Sequence, residues 1–216
     1  MYEFHVLNLG QFSRNRFWGE LDSQSYREPL CTSTLVLSID QKLKILVDPS
    51  HPPEEMARIL FNRRGIRPAD IQAVFVTHEH GDHYVGIEAF DHAPWFMSQT
   101  SLEAVRGMDG PRAAMLAEKF RGLDARGDPL LKEMEMLPLP GHTPGTMGLL
   151  FQSPHGRVCI CGDAVMTRDF FTHRLGYYNS LDFEASTASI QKIAGLADLV
   201  VPGHDNYFLN PQKPQG

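Results

Sequence analysis

The run Ile71-Gln72-Ala73-Val74-Phe75-Val76-Thr77-His78-Glu79-His80-Gly81-Asp82-His83 decides how this chain is read. Its first half is a short apolar stretch that suits a buried strand. Its second half gathers the imidazoles of His78, His80 and His83 with the carboxylate of Asp82. Alternate residues of an extended loop point the same way, so His78 and His80 can converge on one cation. Gly81 permits a turn that sends Asp82 and His83 towards a second. Neutral imidazole and carboxylate suit zinc, iron or manganese. An isolated His-x-His reads as easily as a solvated turn, but this pattern directly behind a buried strand does not.

The same device recurs along the chain. Gly141-His142-Thr143-Pro144-Gly145 follows a strand ending near Leu139, Gly162-Asp163-Ala164 follows the apolar Val158–Cys161, and Pro202-Gly203-His204-Asp205 follows Leu199–Val201. Each is a strand, a glycine that allows a sharp turn, and a ligand-capable side chain. Any one alone is weak. In series they point to a metal centre assembled at strand ends.

The surrounding sequence supplies those strands. Strands are expected over residues 3–10, 33–39, 43–47, 71–77, 94–98, 134–139, 146–151, 157–161 and 198–201, and helices from Pro52-Pro53 to Arg64 and over 99–106, 111–121 and 184–194. Gly65 stops the first helix. Strands in runs with a few helices predict an α+β fold, two face-to-face sheets covered outside by helices. No linker divides the chain, so residues 1–216 are expected to form one domain, with a flexible tail from about 209.

Composition limits the function classes. The chain has 216 residues, 42% of them hydrophobic, and a net charge of −6 from 20 basic and 26 acidic side chains. An acidic protein without a long basic stripe is not expected to bind nucleic acid, and small-molecule substrates fit better. The N-terminus reads as a strand rather than a signal peptide, and no apolar run approaches a membrane span, so no membrane association is expected. The odd cysteine count, Cys31, Cys159 and Cys161, fits a reducing compartment, and cytoplasmic residence is the expectation.

The series His78-x-His80-x-Asp82-His83, His142, Asp163 and His204 resembles the metallo-β-lactamase-fold metallohydrolase superfamily in order and in loop context, from about residue 4 to 208. The resemblance implies a four-layer αββα sandwich with two divalent metal ions, zinc first and iron or manganese as alternatives. It implies that His78, His80 and His142 hold one metal, that Asp82, His83 and His204 hold the other, and that Asp163 bridges them. Such a pair lowers the pKa of a shared water, so that hydroxide attacks the substrate near neutral pH, with Asp82 orienting the nucleophile or moving its proton.

The family spans many chemistries, so departures narrow the choice. Zinc β-lactamases commonly carry cysteine where Asp163 stands. Glyoxalase II enzymes append a helical domain, whereas twelve residues follow His204. What remains is hydrolysis of an ester, thioester, lactone or related bond. Phosphodiesterase or nuclease activity and mononuclear iron oxygenase chemistry are the alternatives.

Other residues carry less pattern. Asp48 matches a family aspartate that supports the site's loops, or it caps a strand end. Tyr84, Tyr177 and Tyr178 are candidates to donate to an oxyanion, or are packing residues. Arg168 and His173 are candidates to bind a substrate carboxylate. Phe12, Phe17 and Trp18 form either an apolar wall over the cleft or a contact between two copies in a homodimer. Cys159 and Cys161 share one strand face, as small buried residues or as thiolates for a metal.

Overall fold

A computed structural model describes residues 1–131 and 133–213. The first half of the chain builds a six-stranded sheet. Strands β1 (Tyr2–Asn8), β2 (Ser33–Ser38) and β3 (Lys44–Val47) pair antiparallel, and β4 (Ala73–Phe75), β5 (Trp95–Ser98) and β6 (Phe120–Leu123) extend the sheet from β3 in parallel. The second half builds a five-stranded sheet. Its strands are β7 (Glu135–Pro138), β8 (Met147–Ser153), β9 (Gly156–Gly162), β10 (Leu199–Pro202) and β11 (Phe208–Leu209), in spatial order 11-10-9-8-7, with only β9 and β10 parallel.

Both sheets are covered on both faces, which explains why their strands read as unbroken apolar runs. Side chains alternate across a strand, so each run serves two cores. Val36, Ile45, Val47 and Phe75 of the first sheet meet Leu149, Val158, Ile160 and Val201 of the second in the central layer. Leu35, Leu37, Leu46 and Val74 point the other way, against helices α1 (Pro53–Arg64), α2 (Gln99–Arg106) and α3 (Pro111–Lys119). Leu150, Cys159, Cys161 and Val200 likewise pack against α4 (Arg168–His173) and α5 (Phe183–Leu196). The result is the four-layer αββα sandwich. Cys159 and Cys161 are buried free thiols within the last of these layers.

Helix α1 begins at Pro53, where proline's missing N–H costs nothing. It ends at Gly65, whose left-handed φ of +66° lets its N–H reach the Phe61 carbonyl. The helix expected to run to residue 121 instead stops at Lys119. Phe120 turns the chain into β6, pairing with β5 and packing edge-on against Trp95 at a centroid distance of 5.8 Å. Burial of that ring overrides the local helical pattern. Helix α4 spans six residues, too short to leave a periodic signature, and is anchored by buried Phe170 and Phe171.

The expected flexible tail is corrected in part. Leu209 pairs in β11, and Asn210 is buried. The Asn210 amide donates to the carbonyls of Ala194 (2.9 Å) and Ala197 (2.8 Å), which the end of α5 would otherwise leave unpaired. Residues 214–216 lie outside the described residues. Among the described residues no helix is long and apolar enough to cross a membrane. Replacing Asn210 by alanine exposes those carbonyls to an apolar pocket. Asn210→Ala is therefore expected to lower unfolding stability by about 1–3 kcal/mol, read from the urea midpoint.

Candidate metal centre

The seven sequence-predicted ligands meet where strands of both sheets end. Val76 and Thr77 continue β4, and the following turn carries His78, His80, Asp82 and His83. The β7–β8 connection brings His142, Asp163 directly follows β9, and β10 ends beside His204. Two glycines make this approach possible. A Cβ on Gly162, which sits at φ +49°, would lie 2.3 Å from the Thr77 hydroxyl, and one on Gly203 would lie 2.0 Å from Asp163 Oδ1.

The side chains fall into two groups that could each hold a cation. His78, His80, His142 and Asp163 form one, and Asp82, His83 and His204 the other, with the ligand atoms of each group within 4.8 Å of one another. Asp163 lies between them. Its Oδ2 is 3.3 Å from His142 Nε2 and 3.8 Å from His78 Nε2, its Oδ1 is 3.3 Å from His83 Nε2, and His204 Nε2 is close to both, 3.2 Å from Oδ1 and 3.3 Å from Oδ2. The Oδ2 of Asp82 lies 3.7 Å from His204 Nε2.

The donor set fits metal ions on its own chemistry. His78 Nε2, His83 Nε2 and Asp163 Oδ1 are buried without a hydrogen-bond partner among the described residues. Leaving such atoms bare is costly. His80 Nδ1 faces His142 Nε2 at 2.9 Å, two ring nitrogens of the same kind converging. Protonation is also set for ligation. Burial pushes His78 well below the usual histidine range and His142 down to about 4, so both are neutral, lone-pair donors. Burial alone would raise the Asp163 carboxyl, but His204, His83 and His142 outweigh it and keep it ionised.

Behind these atoms sits a layer that fixes their aim. Asp48, buried at the end of β3 with a left-handed φ of +50°, accepts from the Thr77 backbone N–H and hydroxyl, both at 2.8 Å. Its Oδ2 is 3.0 Å from His83 Nδ1, which leaves His83 Nε2 facing the cluster. Asp48 is thus both the strand-end cap and the support for a site histidine. His204 is fixed in the same manner, Nδ1 lying 2.9 Å from the Leu30 carbonyl. Nothing in the local residue pattern singles out Glu79 or Cys31. Glu79 accepts hydroxyl hydrogens from Ser101 (2.6 Å) and Thr143 (3.0 Å), tying the His80 turn to the His142 loop. The Cys31 thiol lies 3.2 Å from His83 Nδ1. Only a fold that folds these loops together reveals either role.

The five residues considered for substrate binding separate. Tyr177 stands beside the cluster, its ring 6.3 Å from that of His142 and its phenol kept protonated by burial and by neighbouring Tyr178. Tyr178 donates to the Asp22 carbonyl at 2.9 Å and so anchors the loop after β1. Tyr84 is committed elsewhere: it is buried in the outer layer and donates to the Glu79 carbonyl at 2.9 Å. Arg168 is exposed with its guanidinium over Phe208, and His173 is exposed and stacked on Phe17. Of the aromatic residues after β1, Phe12 reaches the histidines, 5.6 Å from the His204 ring, whereas Trp18 is exposed and bonded to Asp169.

Known proteins resemble this chain in sequence and in fold. An N-acyl homoserine lactonase of Bacillus sp is 25% identical over 163 residues, 73% of this chain and 65% of that protein, so the chain spans about two thirds of its length. Metallo-beta-lactamase domain-containing protein 1 of Xenopus laevis is 28% identical over 181 residues, 80% of this chain and 71% of that one. In structure, an N-acyl homoserine lactone hydrolase with its product N-hexanoyl-L-homoserine at the catalytic metal center superposes with a TM-score of 0.68 at 19% identity, covering 94% of this chain and 92% of that one. The family profile of the metallo-beta-lactamase superfamily matches residues 27–204, which hold every residue of the cluster, and the chain belongs to that superfamily.

Proposed function

We propose that this chain is a metal-dependent hydrolase that holds two divalent cations, zinc first, and cleaves the acyl–oxygen bond of a lactone or a related small ester, or the acyl–sulfur bond of a small thioester. The observation that carries the reading is the placement of Asp163 between the two groups of ligands, with Oδ2 against His78 and His142, Oδ1 against His83, and both oxygens within reach of His204. His78, His80 and His142 would hold one cation through His78 Nε2, His80 Nδ1 and His142 Nε2. Asp82, His83 and His204 would hold the other. When bound, a pair of divalent cations acidifies a shared water and polarises the substrate carbonyl.

The chain's own residues supply the rest. Asp82, its side chain partly open to solvent, is placed to orient the nucleophile and to carry its proton to the departing oxygen. Tyr177 keeps its proton and stands at the His142 side, the candidate donor to the oxyanion. Phe12 and Tyr177, with ring centroids 5.2 Å apart, form an apolar wall that excludes water and favours an uncharged acyl group. The lactone is preferred among acyl substrates because the similar proteins and the superposed structures include N-acyl homoserine lactonases.

Two measurements test this. Protein purified without added metal should carry about two equivalents of zinc, manganese or iron by elemental analysis. It should open an N-acyl homoserine lactone with release of one acid proton, and His80→Ala should reduce that rate to background. A single equivalent of iron with oxygen consumption and no hydrolysis would replace the proposal with the oxygenase reading. Cleavage confined to phosphodiesters would replace it with the nuclease reading.

Asp48 gives an independent prediction. Its removal leaves the Thr77 N–H and His83 Nδ1 buried without their carboxylate. Asp48→Ala is expected to cost about 3–5 kcal/mol of unfolding stability even in chelator, and to weaken retention of the second cation by about 10–100-fold in a chelator competition.

A further inference from the structure

A second cleft opens at the opposite end of β10 from His204. It has a volume of about 480 Å³ and is lined by Phe4, His5, Val6 and Leu7 of β1, Arg63 and Arg64 of α1, His155 of the β8–β9 turn, Leu199 of β10 and Tyr207 before β11. That volume lies within the range of small-molecule sites.

Its charge runs against the composition of the chain. Acidic side chains outnumber basic ones by 26 to 20, yet every ionisable lining residue other than Tyr207 is an arginine or a histidine. Neither the guanidinium groups of Arg63 and Arg64, the His155 ring nor the Tyr207 hydroxyl has a hydrogen-bond or ion-pair partner among the described residues, so all four are available to a ligand. His5 Nε2 is a buried atom without a hydrogen bond, and Glu3, 3.9 Å away at the rim, is its one acidic neighbour within ion-pair distance. Arginines in the last turn of a helix offset its dipole, which accounts for Arg63 and Arg64 but not for the two histidines facing them from other elements. Beside the cations, Phe4 and Tyr207 pack edge-to-face at 5.2 Å, with Tyr207 half exposed, and offer an aromatic surface.

We infer that this cleft is a binding site for a small phosphate monoester carrying an aromatic ring, of the nucleoside monophosphate class. The two guanidinium forks and the two imidazoles take the phosphate oxygens, and the ring lies against Phe4 and Tyr207. Arg63 and Arg64 suit the phosphate as planar multi-donor groups, which a pair of lysines would not match. The site is separate from the metal cluster and does not depend on the hydrolytic reading.

The test uses adenosine 5′-monophosphate, inorganic phosphate and adenosine as probes, titrated calorimetrically into the metal-loaded wild-type chain and into an Arg63→Ala/Arg64→Ala variant. Both arginines are exposed, so the variant should fold, and an unchanged metal content shows that the cluster is intact. The expected result is a binding event for the monophosphate that weakens at least tenfold in the double variant and about threefold to tenfold in Tyr207→Ala. Equal affinity in wild type and double variant would place the binding at the metal cluster and overturn the inference, as would no binding at millimolar concentration. Inorganic phosphate binding as tightly as the monophosphate would overturn the aromatic half of the assignment, and adenosine binding as tightly would overturn the phosphate half.

Discussion

The arrangement turns on a carboxylate buried among imidazoles. Asp163 is almost fully buried, with His78, His83, His142 and His204 all within 3.8 Å of its oxygens. An isolated carboxylate there would be prohibitively expensive to desolvate. Opposite charge from the surrounding site has to offset that cost. In the absence of cations His83 and His204 do so. Burial opposes their protonation, but Cys31, Asp163 and Asp48 raise His83 well above its usual range, and Asp163 raises His204. Divalent cations would serve the same electrostatic need more strongly and release those protons. The two sheets are locked to this point because Asp163 ends a strand of the second sheet, while His78 and His83 follow a strand of the first.

Such convergence explains what the sequence could carry. The αββα layering was legible because each buried strand had to be apolar on both faces, and because glycine had to follow where the chain turned sharply at the site. Gly162 and Gly203 are required by contact, not by habit: a methyl group at either would collide with Thr77 or Asp163. The convergence of these side chains was legible for the same reason, since each histidine or aspartate stands directly behind a buried strand. Residues that act across the fold were not. Glu79 reads as a spacer between two histidines, and only the packing of the 141–146 loop on α2 turns it into a clamp. Tyr84 was suggested by nearness to His83 in sequence, but one step along a turn rotates a side chain to the other face, and its hydroxyl found the Glu79 carbonyl. β6 and α4 were hidden because three-dimensional burial of Phe120, Phe170 and Phe171, not local periodicity, decides them.

The loop between β1 and β2 carries Phe12 to the edge of the cluster. It is held from three sides: Asn15 and Trp18 donate to Asp169 at 2.8 and 3.0 Å, Tyr178 donates to the Asp22 carbonyl, and Arg27 pairs bidentately with Glu20 at 2.5 and 2.6 Å. These ties involve polar groups near the surface, so each contributes modestly, yet together they set where Phe12 meets His204 and Tyr177. Substrate selection can therefore change through this loop without disturbing the cluster, whose ligands belong to strand ends that the cores fix.

The geometry of β10 separates two chemistries on one element. Its C-terminal end delivers His204 to a cluster that includes the carboxylates of Asp82 and Asp163. Its N-terminal end, at Leu199, borders a cleft whose positive charge is carried by Arg63 and Arg64. A ligand bound at Leu199 would press on the strand whose other end positions His204, and β10 is paired on both sides, with β9 and β11, so displacement along it is stiff. At the other end of the strand His204 is held by a contact outside the cleft, its Nδ1 lying 2.9 Å from the Leu30 carbonyl.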